Sequence, residues 1–600
     1  MCRVLESSEE VRSDLVRVIV VTPPVFVPAA PAAAPSVLVA ELRRRGHDAV
    51  AFDASRFAID RLLAPRALER SLQRVVHGSL PPSVEAYASG LPLTIRGTVE
   101  ALRSRDTYRD LDRYRVARHE VELAFSVHAL AHGRSRWTSV EFRGDHDRDS
   151  AEETLEAVAH GDEIFDGPLS EAAAVIAQAR PRVVALSVSF PEQIYGCLRL
   201  ARSVRELLPE AYVIAGGATL TRLRNSILHL PTLFDIVDAI GLREGENLLT
   251  ALVDALAAGE DPLTCVPGVM ARRGGRVVLS MAADGPPYQL HDTATPVFED
   301  LSPGPYLAPS PCFPVSTTRN CYFDRCTFCA ISRSFNAAFR QMPPARMASQ
   351  ILELASRHPD ARFKDVSEAI PPFVLLETAD ELARSGDPPA WEAYVRFERP
   401  FHLPGIAARL RRGGLRIAYF GLESASPVQL EETHKKVAVD VASETLRRFA
   451  DAGIWCHLFL ISGLPRETER DHEATLDFIA RHRTCIHSIQ ASVFRLELDS
   501  DAARMPERYG FRPAPRPATS LRVDLELEDR GDIPPRATAE RRAMDFRRAA
   551  AFDGSDDTLA RSRLVWDAHW LAFAALNGGP VLPGAGVPQA QTIASRLKFC

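Results

Sequence analysis

The sequence predicts an α/β protein whose first half holds a parallel sheet covered by helices on both faces. Three observations predict it. Apolar, β-branched runs alternate with helix-like segments, as buried parallel strands and their crossovers require. Those runs stop at Pro-Pro or Gly-Gly pairs. The chain has 600 residues, too many for one core, and at about 150 residues per domain it makes about three or four units.

Residues 16–22 read Val-Arg-Val-Ile-Val-Val-Thr, a buried strand with a hard stop at Pro23-Pro24. Residues 36–45 read as a helix, with Ser36 as N-cap and Gly46 as terminator. A second strand follows at 47–53, and about 57–165 is a mostly helical, charged insertion. The alternation resumes with a strand at 183–190, a helix at 194–208, and a strand at 212–215 that ends in Gly216-Gly217. A short strand at 235–240 leads through Arg243-Glu244-Gly245-Glu246 into a helix ending at Ala257. Ligands of such sheets bind beyond the carboxyl ends of the strands, which here carry Ser187, Ser189, Gly216 and Gly217. Glycine there lets a ligand approach the backbone, although a tight turn explains the same pair. No Gly-x-Gly-x-x-Gly follows the first strand, which disfavours a dinucleotide. Residues 267–280 read as a hairpin turning at Gly274-Gly275 within a hinge, and 284–314 as a proline-rich linker.

Composition narrows the function classes. Lys+Arg total 72 against 78 Asp+Glu, a net charge of −6, which gives no support for a basic nucleic-acid surface. The chain is 46% hydrophobic and 25% charged, so global disorder is excluded. The start, Met1 to Glu6, runs into charged residues without an apolar stretch, so no secretory signal is expected. The one long uncharged run, 18–40, contains Pro23, Pro24, Pro28, Pro31 and Pro35, which break a spanning helix. The expectation is a soluble, cytoplasmic protein with neither nucleic acid nor membrane as partner. Ten cysteines are too few for a disulfide scaffold, and clustered thiols in a reducing compartment suit metal.

Residues 317–329 carry such a cluster: Thr-Thr-Arg-Asn-Cys-Tyr-Phe-Asp-Arg-Cys-Thr-Phe-Cys. Cys321, Cys326 and Cys329 have C-x4-C-x2-C spacing and can face one loop cavity. A structural zinc site needs four ligands, and so does the plant-type [2Fe–2S] centre with similar spacing. The next cysteine is Cys456 and the next histidine His358, so either reading requires a distant fourth ligand. On a [4Fe–4S] cube three thiolates leave one iron open to chelate an amino-acid-like cofactor. Unrelated buried cysteines are the bland alternative.

With these residues in view, the sequence resembles the radical SAM enzymes that carry an N-terminal cobalamin-binding domain. The commonest spacing in that superfamily is C-x3-C-x2-C, one residue shorter in the first gap. Cys-Tyr-x-x-Arg-Cys-x-Phe-Cys resembles a variant within the cobalamin-binding branch. Residues 417–424, ending Gly421-Leu422-Glu423-Ser424, are similar to the fourth barrel strand, whose polar end lies near the SAM ribose, and Thr433-His434-Lys435-Lys436 follows. Residues 463–468, beginning at Gly463, resemble the segment near adenine after the fifth strand. Asp365 and Glu368 end the second strand where the family binds the SAM amino group, though its Gly-Gly-Glu is absent. Residues 394–398 resemble the third strand, with Arg396 placed to pair with the SAM carboxylate. Each of these residues could equally be a surface ion-pair or turn residue.

The resemblance implies a Rossmann-like cobalamin-binding domain followed by a partial (β/α) radical SAM barrel and a mostly helical C-terminal region. The implied boundaries are 1–265 for the first domain with its insertion, 266–310 for the linker, 311–515 for the radical SAM domain and 516–600 for the C-terminal region. That last region, with Trp566 and Trp570, is expected over the barrel mouth. The implied cofactors are a [4Fe–4S] cluster on Cys321, Cys326 and Cys329, S-adenosyl-L-methionine and cobalamin. Ser187, Ser189, Gly216, Gly217 and Glu244 would face cobalamin, and Arg396, Glu423, Ser424 and Gly463 would face SAM. The first domain has no Asp-x-His-x-x-Gly motif, which implies cobalamin held without that histidine. Cys456 is expected in the core, and Cys2, Cys197, Cys265, Cys312, Cys485 and Cys600 are incidental.

The implied chemistry is reductive cleavage of SAM to a 5′-deoxyadenosyl radical, hydrogen removal from an unactivated carbon, and methyl transfer from cobalamin. The substrate would be a specialised metabolite or a peptide natural product, and the electrons would come from a reductase, flavodoxin or ferredoxin. Rearrangement or oxidation without methyl transfer is the alternative. A non-catalytic electron carrier or cobalamin sensor is a third reading, disfavoured by the barrel signatures beyond Cys329.

Overall fold

The computed structural model describes residues 16–579, apart from 77, 79–81, 134–135, 140, 162, 284, 302–305, 336–337 and 551–566. The N-terminal hexapeptide, Cys2, Trp566 and Cys600 lie outside the described residues.

The first half folds on a seven-stranded sheet. Its strands are β1 (Arg17–Thr22), β2 (Asp48–Asp53), β3 (Val183–Ser187), β4 (Tyr212–Gly216), β5 (Ala239–Gly241), β6 (Val269–Arg273) and β7 (Arg276–Leu279), in the spatial order β2-β1-β3-β4-β5-β6-β7. Strands β1 to β5 run parallel, and Val18 to Val21 at the centre are fully buried, as a sheet covered on both faces requires. Helix α1 (Ala33–Arg44) packs against α3 (Gly245–Ala258), and α2 (Ile194–Leu207) against the helix Glu163–Gln178.

Several boundaries differ from expectation. Helix α1 starts three residues before Ser36, with Ala32 at the N-cap and no side-chain cap. Pro35 sits in its first turn, where a missing N–H breaks no helical bond. Strand β3 stops at Ser187 rather than residue 190, and β5 is shortened because Pro231–Asp235 coil into a 3-10 turn. The hairpin β6–β7 is no hinge: Met270 pairs with Ile240, so it covers the open edge of β5. The insertion is helical as expected, and its two longest helices, Pro82–Arg103 and Leu111–Ala131, pack together.

The second half is a six-stranded parallel partial barrel. Its strands are β8 (Cys312–Val315), β11 (Arg362–Asp365), β12 (Trp391–Val395), β13 (Leu415–Glu423), β14 (Trp455–Ser462) and β15 (Ser488–Val493), in that spatial order. Between β8 and β11 a small antiparallel ribbon, β9 (Thr318–Arg319) with β10 (Arg340–Gln341), brackets the cysteine loop. Phe363, Ala393, Phe420 and Leu458 are fully buried on the strands. Tyr394, Tyr419, His457 and Ser488 form one lateral row across β12 to β15, and polar residues recur on that face.

The C-terminal region divides. Helix α4 (Arg536–Ala549) packs on β14 and β15. Helix α5 (Asp567–Leu576) docks at the opposite end of the barrel from the one expected. Trp570 lies 5.0 Å from Trp455, the first residue of β14, and Arg411 Nη2 donates to Gly578 O at 3.0 Å. Leu571, Ala572, Phe573 and Ala574 are buried there, so an almost wholly apolar helix fills the N-terminal end of the strands. The mouth side is lined instead by two ribbons, Leu496–Glu497 with Asp524–Leu525 and Arg512–Pro513 with Leu527–Asp529. No helix among the described residues is long and apolar enough to cross a membrane.

Candidate active site

The cysteine loop follows β8 and is anchored by the end of β11. The buried Asp365 carboxylate accepts from Thr317 Oγ1 and, at 2.9 Å, from Ser367 N. Ser367 Oγ accepts in turn from the Thr317 and Thr318 amides, each at 2.9 Å. Burial raises the Asp365 carboxyl above its usual range, against the opposing pull of its bonds to Ser367 and Thr317. Asp365 therefore anchors the loop, a role that sequence alone did not suggest. Asn320 and Asp324 take left-handed φ angles of 63° and 44°, which their short polar side chains tolerate, and these bend the loop sharply. Thr327 N donates to Thr433 O at 3.0 Å, and Ala502 N to Thr327 O at 2.9 Å.

Cys321, Cys326 and Cys329 are all half-buried, and none of them is in a disulfide. Burial pushes Cys329 up to about 12, and the neighbouring Cys326 and Cys321 sulfurs act in the same direction. Burial also raises Cys326, against Lys435 and Arg396, and Cys321 acts on it too. No three His, Cys, Asp or Glu side chains among the described residues are arranged to hold a single metal ion.

The residues expected around SAM divide into two groups. Arg396 is only 4% exposed and turns to the loop: its Nη1 is 3.9 Å from Cys326 Sγ, and its guanidinium lies 3.5 Å from the Phe323 ring centroid. Glu423, at φ 68°, pairs with the buried Lys435 at 2.8 Å. Ser424 Oγ lies 3.3 Å from Thr475 Oγ1 and accepts from Ser426 N at 3.1 Å. Gly463 donates to Glu467 Oε2 at 2.6 Å, and a Cβ built on it would sit 2.6 Å from Ala539 Cβ of α4. The glycine at 463 is thus explained by helix packing, a constraint from distant sequence.

Two cavities flank the loop. The first, of about 960 Å³, lies at the carboxyl ends of β3, β4 and β5. Ser187, Ser189, Gly216, Gly217 and Glu244 all line it, together with Arg319 and Asn320 from the cysteine loop's base and Glu368 beyond β11. Gly217 has φ 115°, and a Cβ there would come within 2.5 Å of Val188 O, so the neighbouring backbone demands glycine. Glu244 and Glu246 are tied to the barrel: Arg340 Nη1 donates to Glu244 Oε2 at 3.0 Å, and Arg319 Nη2 to Glu246 Oε1 at 2.8 Å. None of the described lining residues is a histidine.

The second cavity, of about 1140 Å³, includes Phe328 of the loop, Ile461 of β14 and residues 491–497. Its other walls are Gly144 and His146 to Asp149 of the insertion, Pro191 and Glu192 after β3, residues 521–527, and Met544 and Arg547 of α4. Sequence reasoning missed a further polar group on the barrel strands. Lys364 Nζ lies 3.4 Å from Glu392 Oε1, and Tyr419 OH donates to Glu392 Oε2 at 3.1 Å. Tyr394 stacks on Tyr419 with centroids 4.8 Å apart, and His457 lies 5.0 Å from Tyr419. Charged residues inside otherwise apolar strands were the available signal.

Comparison with known proteins gives this geometry a family. The model of the radical SAM superfamily matches residues 315–479. The chain is 26% identical over 335 residues to an uncharacterised methyltransferase of Pyrococcus horikoshii, covering 53% of this chain and 69% of that one. It is 23% identical over 303 residues to the hopanoid C-3 methylase of Methylococcus capsulatus, covering 48% of this chain and 55% of that one. The fold matches the radical S-adenosylmethionine methyltransferase TsrM from Kitasatospora setae, solved with cobalamin and a [4Fe–4S] cluster bound. The TM-score is 0.51 at 14% identity, over 84% of this chain and 76% of that one. Residues 315–479 thus carry a radical SAM domain, and the fold of the chain is similar to that of a radical SAM methyltransferase solved with cobalamin bound.

Proposed function

We propose that the protein is a cobalamin-dependent radical SAM methyltransferase that methylates an unactivated carbon of a small molecule or peptide natural product. One observation carries the reading: a loop of three thiols stands between a cavity at the strand ends of an open α/β sheet and a second cavity at the barrel mouth. The methyltransferase relatives support the same class.

The donor set fits the implied groups. Cys321, Cys326 and Cys329 lie within nine residues of one loop, none is in a disulfide, and together they offer three sulfurs to a multi-iron cluster. The first cavity is glycine-rich, has serines at its strand ends and presents no histidine among its described lining, which suits cobalamin held without a protein imidazole. When bound, the cluster supplies the electron that cleaves SAM, and cobalamin supplies the methyl group.

The protein's own residues position and enclose. Asp365 and Ser367 fix where the loop leaves β8. Glu423, held by Lys435, and the Ser424 hydroxyl remain the candidates for the SAM ribose, and the backbone at Gly463 for adenine. The second cavity joins the insertion, the loop after β3, the barrel and the C-terminal ribbons, so the chain's most individual segments shape the substrate site. An external reductase, flavodoxin or ferredoxin would supply electrons.

The test is anaerobic reconstitution with iron and sulfide, then addition of cobalamin, SAM and dithionite. 5′-Deoxyadenosine is the expected product, and its absence beside a [2Fe–2S] spectrum would favour an electron carrier. Methyl-labelled SAM offered with metabolite fractions from the source organism should label a product carbon. A converted but unlabelled product would indicate rearrangement or oxidation instead.

A further inference from the structure

Arg396 is identified above as resembling a SAM-carboxylate ligand, yet its contacts point elsewhere. Its Nε donates to Glu398 Oε1 at 3.2 Å and its Nη2 to the Lys435 carbonyl at 2.7 Å. Its remaining terminal nitrogen, Nη1, is 3.9 Å from Cys326 Sγ, within reach of a long hydrogen bond to sulfur. The flat face of the guanidinium covers the Phe323 ring at 3.5 Å. Arg396 is thus saturated by protein groups on three sides, and the fourth is a cysteine sulfur.

Lys435 mirrors it. Its ammonium is buried, pairs with Glu423 at 2.8 Å, and lies 6.0 Å from the Phe328 ring centroid. Phe323 precedes and Phe328 follows Cys326 in the loop, and each of these rings faces one of the two cations. The Arg396–Lys435 backbone bond ties the two cations together.

We infer that Arg396 and Lys435 are positioning residues of the iron–sulfur cluster, a buried two-cation clamp on Cys326 that stabilises the cluster's reduced state, and that Arg396 is not the ligand of the SAM carboxylate. The inference rests on the reading that Cys321, Cys326 and Cys329 hold a [4Fe–4S] cluster. A [4Fe–4S] core with three thiolates gains a further negative charge on one-electron reduction. Nearby cations and N–H donors to sulfur favour that form, so they raise the reduction potential. The effect is large in a site shielded from water, because screening there is weak.

The full-length protein is reconstituted anaerobically as wild type, Arg396→Met, Arg396→Lys and Lys435→Met. Three quantities are read: iron per chain, the cluster midpoint potential by EPR-monitored titration, and the change in the reduced EPR signal on adding SAM. The expected result is wild-type iron, a midpoint shifted to more negative potential in both Met variants, and a midpoint nearer wild type in Arg396→Lys. The SAM-induced EPR change persists in all three. An unshifted midpoint with a lost SAM response in Arg396→Met overturns the inference and returns Arg396 to the SAM carboxylate. If the Met variants bind no iron, Arg396→Lys decides: a four-iron cluster with a wild-type SAM response supports the clamp, and a lost response overturns it. A wild-type protein that binds no four-iron cluster overturns the cluster reading itself, and the inference with it.

Discussion

Gly217 offers the sharpest test of how the first cavity is built. It sits at the end of β4 with φ 115° and ψ −179°, a region that only glycine populates freely. Placing Ala there costs about 1–3 kcal/mol in backbone strain alone. Its Cβ would also lie 2.5 Å from Val188 O, 2.9 Å from Val188 C and 3.1 Å from Val188 N, all backbone atoms that cannot swing away. Relief requires β3 and β4 to part where Val188 N donates to Gly216 O at 2.7 Å and Thr219 N to Val188 O at 3.3 Å. Two weakened bonds add about 1–3 kcal/mol, giving about 2–6 kcal/mol for Gly217→Ala. At about 1.4 kcal/mol per tenfold, even the lower end weakens cobalamin binding by about thirtyfold if the strain is felt at the cavity. Gly216→Ala is the control: its φ is ordinary, and its Cβ meets Gly241 O at 3.1 Å, so a small adjustment suffices. Aqua-cobalamin titration followed by absorbance, alongside urea unfolding, reads both effects. A Gly217→Ala protein with wild-type affinity and midpoint, or one less affected than Gly216→Ala, would refute the reasoning.

Three other perturbations have defined outcomes. Cys326→Ala is expected to lose cluster iron and SAM cleavage while cobalamin titration stays at wild type; unchanged iron content would remove Cys326 from the ligand set. His569 is buried as a neutral ring, its Nε2 donating to Leu307 O at 2.6 Å and its Nδ1 accepting from Tyr114 OH at 2.8 Å. Burial lowers it from 6.5 to about 3, so the unfolded chain binds the extra proton and stability falls as pH drops from about 6.5 towards 3. His569→Gln should flatten the acid limb of the unfolding free energy by up to about 1.4 kcal/mol per pH unit, and an unchanged slope in urea titrations at several pH values would contradict it. Trp570→Ala should cost about 3–5 kcal/mol, read in guanidinium unfolding, because it empties the plug beneath Trp455. A loss under about 1 kcal/mol would mean that α5 does not close the barrel.

Local features of the fold were legible in the sequence, and long-range ones were not. The β1 strand with its Pro23-Pro24 stop, the Gly274-Gly275 turn and the close spacing of Cys321, Cys326 and Cys329 are each written within a dozen residues. The β6–β7 hairpin was visible, but its partner was not: Met270 meets Ile240 only because helix α3 returns the chain to the sheet edge. The start of α1 was misread because its first turn, Ala33-Ala34-Pro35, has no polar cap, and Ser36 was the nearest residue of capping type. Lys364, Glu392, Tyr419 and His457 sit on four different strands, so a charged or polar residue within an apolar strand marks each of them but not their meeting. Arg396 was singled out from the resemblance, but its neighbours Phe323, Cys326 and Lys435 come from two distant loops.

The ribbon that brackets the cysteine loop also joins the two halves of the molecule. Arg319 and Arg340 are register partners across β9 and β10, so two guanidinium groups stand side by side, an arrangement that repels unless anions intervene. Glu246 and Glu244 supply them from the N-terminal end of α3, at the wall of the first cavity. Burial alone would lower Arg319, but Glu246 and Glu244 outweigh it and keep the cation charged. Both ends of the cysteine loop are therefore pinned by these ion pairs to the wall of the first cavity, and Arg340 Nη1 also donates to Tyr288 O of the linker at 2.7 Å. Loss of either glutamate leaves the two adjacent arginines with a single carboxylate between them, at the point where the cofactors would meet.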